Sequence, residues 1–97
     1  MKFKYDLPDL IKRKRYSIAL SFPKNYKRQG IYALFYQSKL IYIGQTINFG
    51  ARLSAHRLKY GHSIEYTFYE LPDASANELL IYEAIYINHY NPLHNIK

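Results

Sequence analysis

Gly30-Ile31-Tyr32-Ala33-Leu34-Phe35-Tyr36 and Leu40-Ile41-Tyr42-Ile43-Gly44 are two runs of β-branched and aromatic residues, separated by the polar Gln37-Ser38-Lys39. Runs of that composition, bounded by glycine and joined by a short polar turn, predict an antiparallel hairpin. Reading outward, Asn48 is an N-cap for a helix to about Tyr60, with Gly61 as its left-handed stop. Ile64-Glu65-Tyr66-Thr67-Phe68-Tyr69 alternates with period two, predicting a half-buried strand with Ile64, Tyr66 and Phe68 inward. Pro72-Asp73-Ala74 breaks the chain. Ser75-Ala76-Asn77-Glu78 then has capping-box spacing and opens a second helix, which ends at Tyr90 because Pro92 disfavours helical geometry in Asn91. On the N-terminal side, Pro8 opens a short helix to about Arg15 with Asp9 near its positive end, or the chain is extended from Tyr16 to Leu20. Phe22-Pro23-Lys24-Asn25 interrupts regularity. The order hairpin, helix, strand, helix predicts an α+β domain: a small antiparallel three-stranded sheet flanked by helices.

Composition bounds the rest. Ninety-seven residues suit one core, and 48% hydrophobic content is too apolar for a disordered tail. No internal repeat or low-complexity linker divides the chain. We read residues 1–17 as a basic N-terminal arm and 18–97 as the folded domain. Without cysteine, disulfides and thiolate-bound zinc are excluded. The longest apolar runs, such as Ile31–Tyr36, are far too short to cross a bilayer. Met1-Lys2-Phe3-Lys4-Tyr5-Asp6 lacks the apolar stretch of a secretory signal, so a cytoplasmic protein with no membrane partner is expected.

The net charge of +7 is unevenly placed. Residues 1–28 hold nine Lys/Arg against Asp6 and Asp9, whereas residues 29–97 hold five Lys/Arg and five acids. Lys12-Arg13-Lys14-Arg15, Lys24, Lys27 and Arg28 therefore form a segment that attracts polyanions, with counterion release favouring nucleic acid at low salt. A solvated tail that only keeps the protein soluble accounts for the same charges. An acidic lipid surface is less well supported, because no amphipathic apolar face accompanies the basic run.

Three further features do not reduce to fold. Glu83 shares a helical face with Leu79, Leu80 and Ile87, and a carboxylate facing a core costs several kcal/mol unless a cation or hydrogen bonds meet it. Alternatively it is a boundary residue whose tip reaches water. Arg52 and His56, spaced i, i+4, stack on one helical face. A phosphodiester site would use the first as a permanent charge fork and the second as a titratable partner, although solvated pairs of this kind are common. Among the twelve tyrosines, Tyr32 and Tyr42 stand out because Gly30 and Gly44 lie beside them, and a backbone without Cβ lets a substrate or helix come close. Gly50, inside the first helix, is a poor helix former and marks close packing or substrate approach.

Gly30-Ile31-Tyr32, nine intervening residues and Tyr42-Ile43-Gly44 together resemble the GIY-YIG nuclease family. The resemblance continues through Gln45-Thr46-Ile47-Asn48-Phe49, Arg52 and His56, resumes at Glu83, and ends at Asn91-Pro92-Leu93-His94-Asn95. It covers roughly residues 18–97. It implies metal-dependent hydrolysis of a DNA phosphodiester with one divalent ion, Mg²⁺ or Mn²⁺, held by Glu83. It further implies that Arg52 clamps the phosphate, Tyr32 orients or deprotonates water, and Tyr42 hydrogen-bonds phosphate or water. His56 would assist proton transfer or hold the phosphate, while Gly44 and Asn95 support the site from behind. Mg²⁺ suits one carboxylate completed by waters and substrate oxygens, and His62, His89 and His94 show no zinc spacing with Glu83. Many family members carry a separate recognition domain. Here recognition is expected from the arm, loops, DNA shape or another subunit, and double-strand cutting would need a homodimer or two encounters. The activity expected is a nicking or structure-selective endonuclease; the alternative is a non-catalytic nucleic-acid- or partner-binding protein on the same scaffold.

Overall fold

The protein's structure, a computed structural model, describes residues 7–18 and 27–95. In chain order it comprises β1 (Tyr16–Ser17), β2 (Gly30–Tyr36), β3 (Lys39–Thr46), α1 (Phe49–Tyr60), β4 (Ile64–Glu70) and α2 (Ala76–Tyr90). Single 3-10 turns lie at Leu10–Lys12 and Leu93–Asn95. The strands form one antiparallel sheet in the order β1-β4-β2-β3. The α+β class and the flanking helices are as read from sequence, but the sheet has four strands rather than three. Tyr16 and Ser17 pair with Tyr66 and Glu65, and Ile18 N–H continues the ladder to Ile64 O at 2.9 Å. Two residues are too few to leave a period-two signal.

β2 is apolar throughout because it is buried on both faces. Ile31, Ala33 and Phe35 face α2, where they pack with Leu71, Leu79, Tyr82 and Tyr86. Tyr32 and Leu34 face α1, with Phe49, Leu53, Ile64 and Tyr66. Each such side chain contributes about 1.5–3 kcal/mol by leaving water, and the sheet is held between its helices by these two cores.

The hairpin turn is Gln37-Ser38 alone, both left-handed at φ 50° and 64°. This is the two-residue geometry whose twist suits antiparallel strands, so Lys39 pairs with Tyr36 instead of joining the turn. Leu34 lies opposite Tyr42 and Phe35 opposite Leu40, leaving Ile41 as an extra residue. This bulge sets Ile41 beside Tyr42 on the α1 face.

The helix ends follow their caps. Asn48 Oδ1 accepts from Ala51 N–H at 3.2 Å, and Gly61 ends α1 at φ 80°. Ser75 and Glu78 complete both halves of a capping box, at 3.1 and 2.9 Å. Asn91 takes the left-handed conformation that stops α2.

Before β1, a helix from Pro8 to Arg15 does not form: one 3-10 turn is followed by extended chain. The extended path suits the contacts made there. Leu10 enters the α2-side core, Tyr86 Oη donates to Pro8 O at 2.7 Å, and Tyr90 Oη donates to Asp9. Arg15 then lies over the Phe35 ring at 4.0 Å and Arg13 over Tyr69 at 5.3 Å. The expected extension through Ala19 and Leu20 and the break at Phe22-Pro23-Lys24-Asn25 lie outside the described residues. No helix among the described residues is long and apolar enough to cross a membrane.

Candidate active site

The chemistry-bearing side chains gather around the open edge of β3. Tyr32 and Gly44 are directly paired across the β2–β3 ladder. A Cβ on Gly44 would stand 2.5 Å from Tyr32 Oη, 2.7 Å from its Cζ and 2.8 Å from Tyr42 Cε1. The missing side chain therefore makes room for the phenols themselves, rather than for a substrate or helix as the sequence alone suggested. At Gly30 a Cβ would strike the Tyr69 carbonyl, so that glycine serves backbone packing against β4.

Tyr32 is buried, and its Oη lies 2.7 Å from His56 Nε2. Its ring meets Tyr42 at 5.9 Å and Phe49 at 5.9 Å, and Tyr42 meets His56 at 5.0 Å. Burial raises the Tyr32 phenol above its ordinary range; Tyr42 and Glu83 push the same way, and Arg52 opposes them. Tyr32 thus keeps its proton at neutral pH. His56 is only 9% exposed, and burial, with the charges of Arg52 and Lys59, lowers it to about 4. The neutral ring accepts the Tyr32 hydroxyl proton at Nε2 when its own proton sits on Nδ1.

Glu83 reaches the same edge from the opposite face. The core stripe of α2 runs through Leu79, Tyr82 and Tyr86, while Leu80 is 52% exposed. The face holding Leu79, Leu80, Glu83 and Ile87, apolar apart from the carboxylate, is accordingly only partly buried. Glu83 sits one step round from the core stripe, against β3. Its Oε2 accepts the Gln45 N–H at 2.8 Å, a donor the edge strand leaves unpaired. Half-buried, its carboxyl is raised by desolvation, offset by the Gln45 N–H and then by the Arg52 charge. Among the described residues, Glu83 Oε1 has no hydrogen-bond partner.

Arg52 is exposed on α1 and lines an open cleft of about 300 Å³ with Thr46, Ile47, Asn48, Ala51 and Ala55. Its charge acts on Tyr32, His56 and Glu83 together. Asn95 seals the next position on the β3 edge. Its Oδ1 accepts from Ile43 N–H at 2.8 Å and its Nδ2 donates to Ile43 O at 2.9 Å, imitating a neighbouring strand. Gly50 is buried in the first turn of α1.

The basic run Lys12–Arg15 is placed elsewhere, whereas the Arg28 carbonyl accepts from Phe49 N–H at the start of α1. Arg13 donates to Phe68 O at 3.4 Å, Lys14 lies over Tyr16 at 5.5 Å, and Arg28 pairs with Glu70 at 2.9 Å. Lys12 and Lys27 are exposed, and Lys24 lies outside the described residues. Lys12–Arg15 thus follow the β1–β4 side of the sheet, at the far edge from β3.

Sequence reasoning missed two contributors. Gln45 acts through its backbone and leaves no residue-type signal. Tyr60 stacks on His56 at 5.9 Å and on His94 at 5.4 Å, with Tyr60 Oη 3.0 Å from His94 Nδ1. The spacing Arg52, His56, Tyr60 along one helical face was the available clue.

One carboxylate with a free oxygen, half-buried and raised in pKa, fits a hard divalent cation, which takes one or two carboxylates and several waters. Among the described residues no group of three or more His, Cys, Asp or Glu is placed to hold a metal ion.

Solved structures of the N-terminal GIY-YIG endonuclease domain of UvrC from Thermotoga maritima share this fold. A Tyr-to-Phe point mutant bound to its catalytic divalent cation is similar at TM-score 0.60 and 22% identity, over 82% of this chain and 91% of that one. The form bound to magnesium gives 0.59 and 23%, over 81% and 91%. No curated protein matches the chain. The sequence profile of the GIY-YIG catalytic domain matches residues 28–97. With the hairpin, α1, Glu83 and Asn95 all inside that span, the chain belongs to the GIY-YIG catalytic domain family.

Proposed function

We propose that this protein is a Mg²⁺- or Mn²⁺-dependent DNA endonuclease that nicks or selects structured DNA. The observation that carries this reading is the convergence of Tyr32, Tyr42, His56, Arg52 and Glu83 around Gly44 at one sheet edge, within the field of a single exposed guanidinium. Glu83 Oε1 would hold the divalent ion, which when bound supplies Lewis-acid polarisation of the phosphate and neutralises the departing oxygen. Arg52 binds the scissile phosphate and offsets the charge that grows on it. The Tyr32 oxygen orients the attacking water. As it takes a proton from that water, its own passes to His56 Nε2, which neutrality leaves able to receive it. Tyr42 supplies a further hydroxyl beside the phosphate. Gln45 N–H and the Asn95 side chain hold Glu83 and the β3 edge in register. One site cuts one strand, so double-strand cleavage requires a homodimer or two encounters. The purified protein incubated with supercoiled, branched and single-stranded DNA should cleave in Mg²⁺ and not in EDTA. No metal-dependent cleavage of any substrate, at low salt and micromolar protein, overturns the reading in favour of a binding module.

A further inference from the structure

A second concavity, about 820 Å³, opens at the far end of α1 from Arg52. Tyr36, Ile41, Tyr60 and Leu93 supply apolar and aromatic walls, with Lys39 and His94 among the lining residues. None of the described residues lining it is acidic. Lys59 Nζ adds a cation 5.2 Å over the Tyr60 ring. Leu93 is 67% exposed at the mouth of the cavity. Its lining residues Tyr60 and His94 are linked by ring contact to His56 of the candidate active site. Arg52 and Tyr60 are two helical turns apart, about 12 Å. A strand whose scissile phosphate sits at Arg52 reaches that distance in about three or four nucleotides at duplex spacing.

We infer that this cavity receives an unpaired nucleobase of the DNA strand held at the active site, so that the protein selects substrates carrying a bulged or flapped nucleotide a few positions from the cut. The inference rests on the nuclease reading above and names the substrate class for it. A paired base presents only its edge to a pocket, whereas an unpaired one offers a whole ring to the exposed Tyr36, with the Tyr60–His94 stack as the facing wall. Base–aromatic stacking is sequence-tolerant, and cations at the rim favour the flanking phosphates. This explains how a chain with a compact domain can discriminate DNA structure without reading base edges in a groove.

The test uses the full chain in EDTA, so that binding is read without cleavage. The probe is 2-aminopurine, placed in a duplex either as a single-nucleotide bulge or as a paired base at the same position. The bulged probe should bind about tenfold more tightly than the paired one, with its fluorescence quenched by stacking. Leu93→Glu and, separately, Lys39→Glu introduce a carboxylate at exposed positions. Both should reduce that preference to less than threefold with thermal unfolding unchanged; Leu93→Glu should leave paired-duplex affinity unchanged, whereas Lys39→Glu should weaken it as well, because a rim cation is lost from the strand's phosphates. Equal affinity for the two probes, unchanged emission at saturation, no binding to either probe, or a preference that survives both variants overturns the inference. Plasmid nicking in Mg²⁺ is scored separately. Nicking without bulge preference defeats the pocket alone, and bulge preference without nicking defeats the nuclease reading alone.

Discussion

Gly44→Ala concentrates the local physics of the site in one methyl group. The added carbon would meet Tyr32 Oη at 2.5 Å and Tyr42 Cε1 at 2.8 Å. Ordinary carbon contacts need about 3.5 Å, so the Tyr32 phenol must retreat by about 1 Å. Nothing around it yields cheaply. The ring is 1% exposed, is backed by Phe49, and is tied at 2.7 Å to His56. Overpacking of this kind costs about 1–3 kcal/mol of stability. Displacing a catalytic group by about 1 Å costs on the order of a hundredfold in rate. Urea unfolding and initial rates of plasmid nicking in Mg²⁺ measure the two effects on the same preparation. Gly61→Ala is the control. No atom lies within 4 Å of its Cβ, but its backbone at φ 80°, ψ −162° favours glycine, so it should lose about 1–3 kcal/mol without slowing cleavage. Nicking by Gly44→Ala within threefold of wild type would refute the claim that this glycine exists to seat the two phenols.

Other expectations are independent of that one. His56 titrates near 6.5 when unfolded and near 4 when folded, so between those values the unfolded chain binds more protons. That contribution is complete above pH 6.5 and is lost as pH falls toward 4, by roughly 2–3 kcal/mol. Urea midpoints across pH 4–7 should show the loss in wild type and a shallower slope in His56→Gln. Thr67 Oγ1 is buried with no partner among the described residues, so Thr67→Val should raise stability by about 1 kcal/mol in thermal unfolding. Lys12 and Lys14 are exposed, and if they contact phosphate, replacing both with Ala should lower the slope of log affinity against log salt by about 1.8. An unchanged slope assigns their charge to solubility.

Much of the frame was legible because local signals agreed with the tertiary result. Asn48, Gly61 and the Ser75–Glu78 pair end their helices where capping chemistry places them. Ile64, Tyr66 and Phe68 face inward as alternation required. What escaped is tertiary. β1 exists only because β4 offers an edge, and the Pro8–Arg15 segment forms one 3-10 turn and no longer helix, as Leu10, Arg13 and Arg15 find partners on the α2 side of the sheet. At the site, sequence spacing singled out Arg52, His56 and Glu83. It could not show that Glu83 is gripped by the Gln45 backbone at a sheet edge, because backbone donors carry no side-chain signature. Nor could charge content alone show that Arg13, Arg15 and Arg28 are engaged within the fold.

Glu83→Gln is the most direct test of the proposed chemistry. The amide oxygen can still accept the Gln45 N–H, and removing a half-buried charge relieves a desolvation cost, so folding should be unchanged or slightly improved. What is removed is the anion that would hold the divalent ion. Single-turnover plasmid nicking in saturating Mg²⁺ should fall by about a thousandfold or more, with DNA affinity retained. Nicking within tenfold of wild type would contradict the assignment of this carboxylate as the metal ligand.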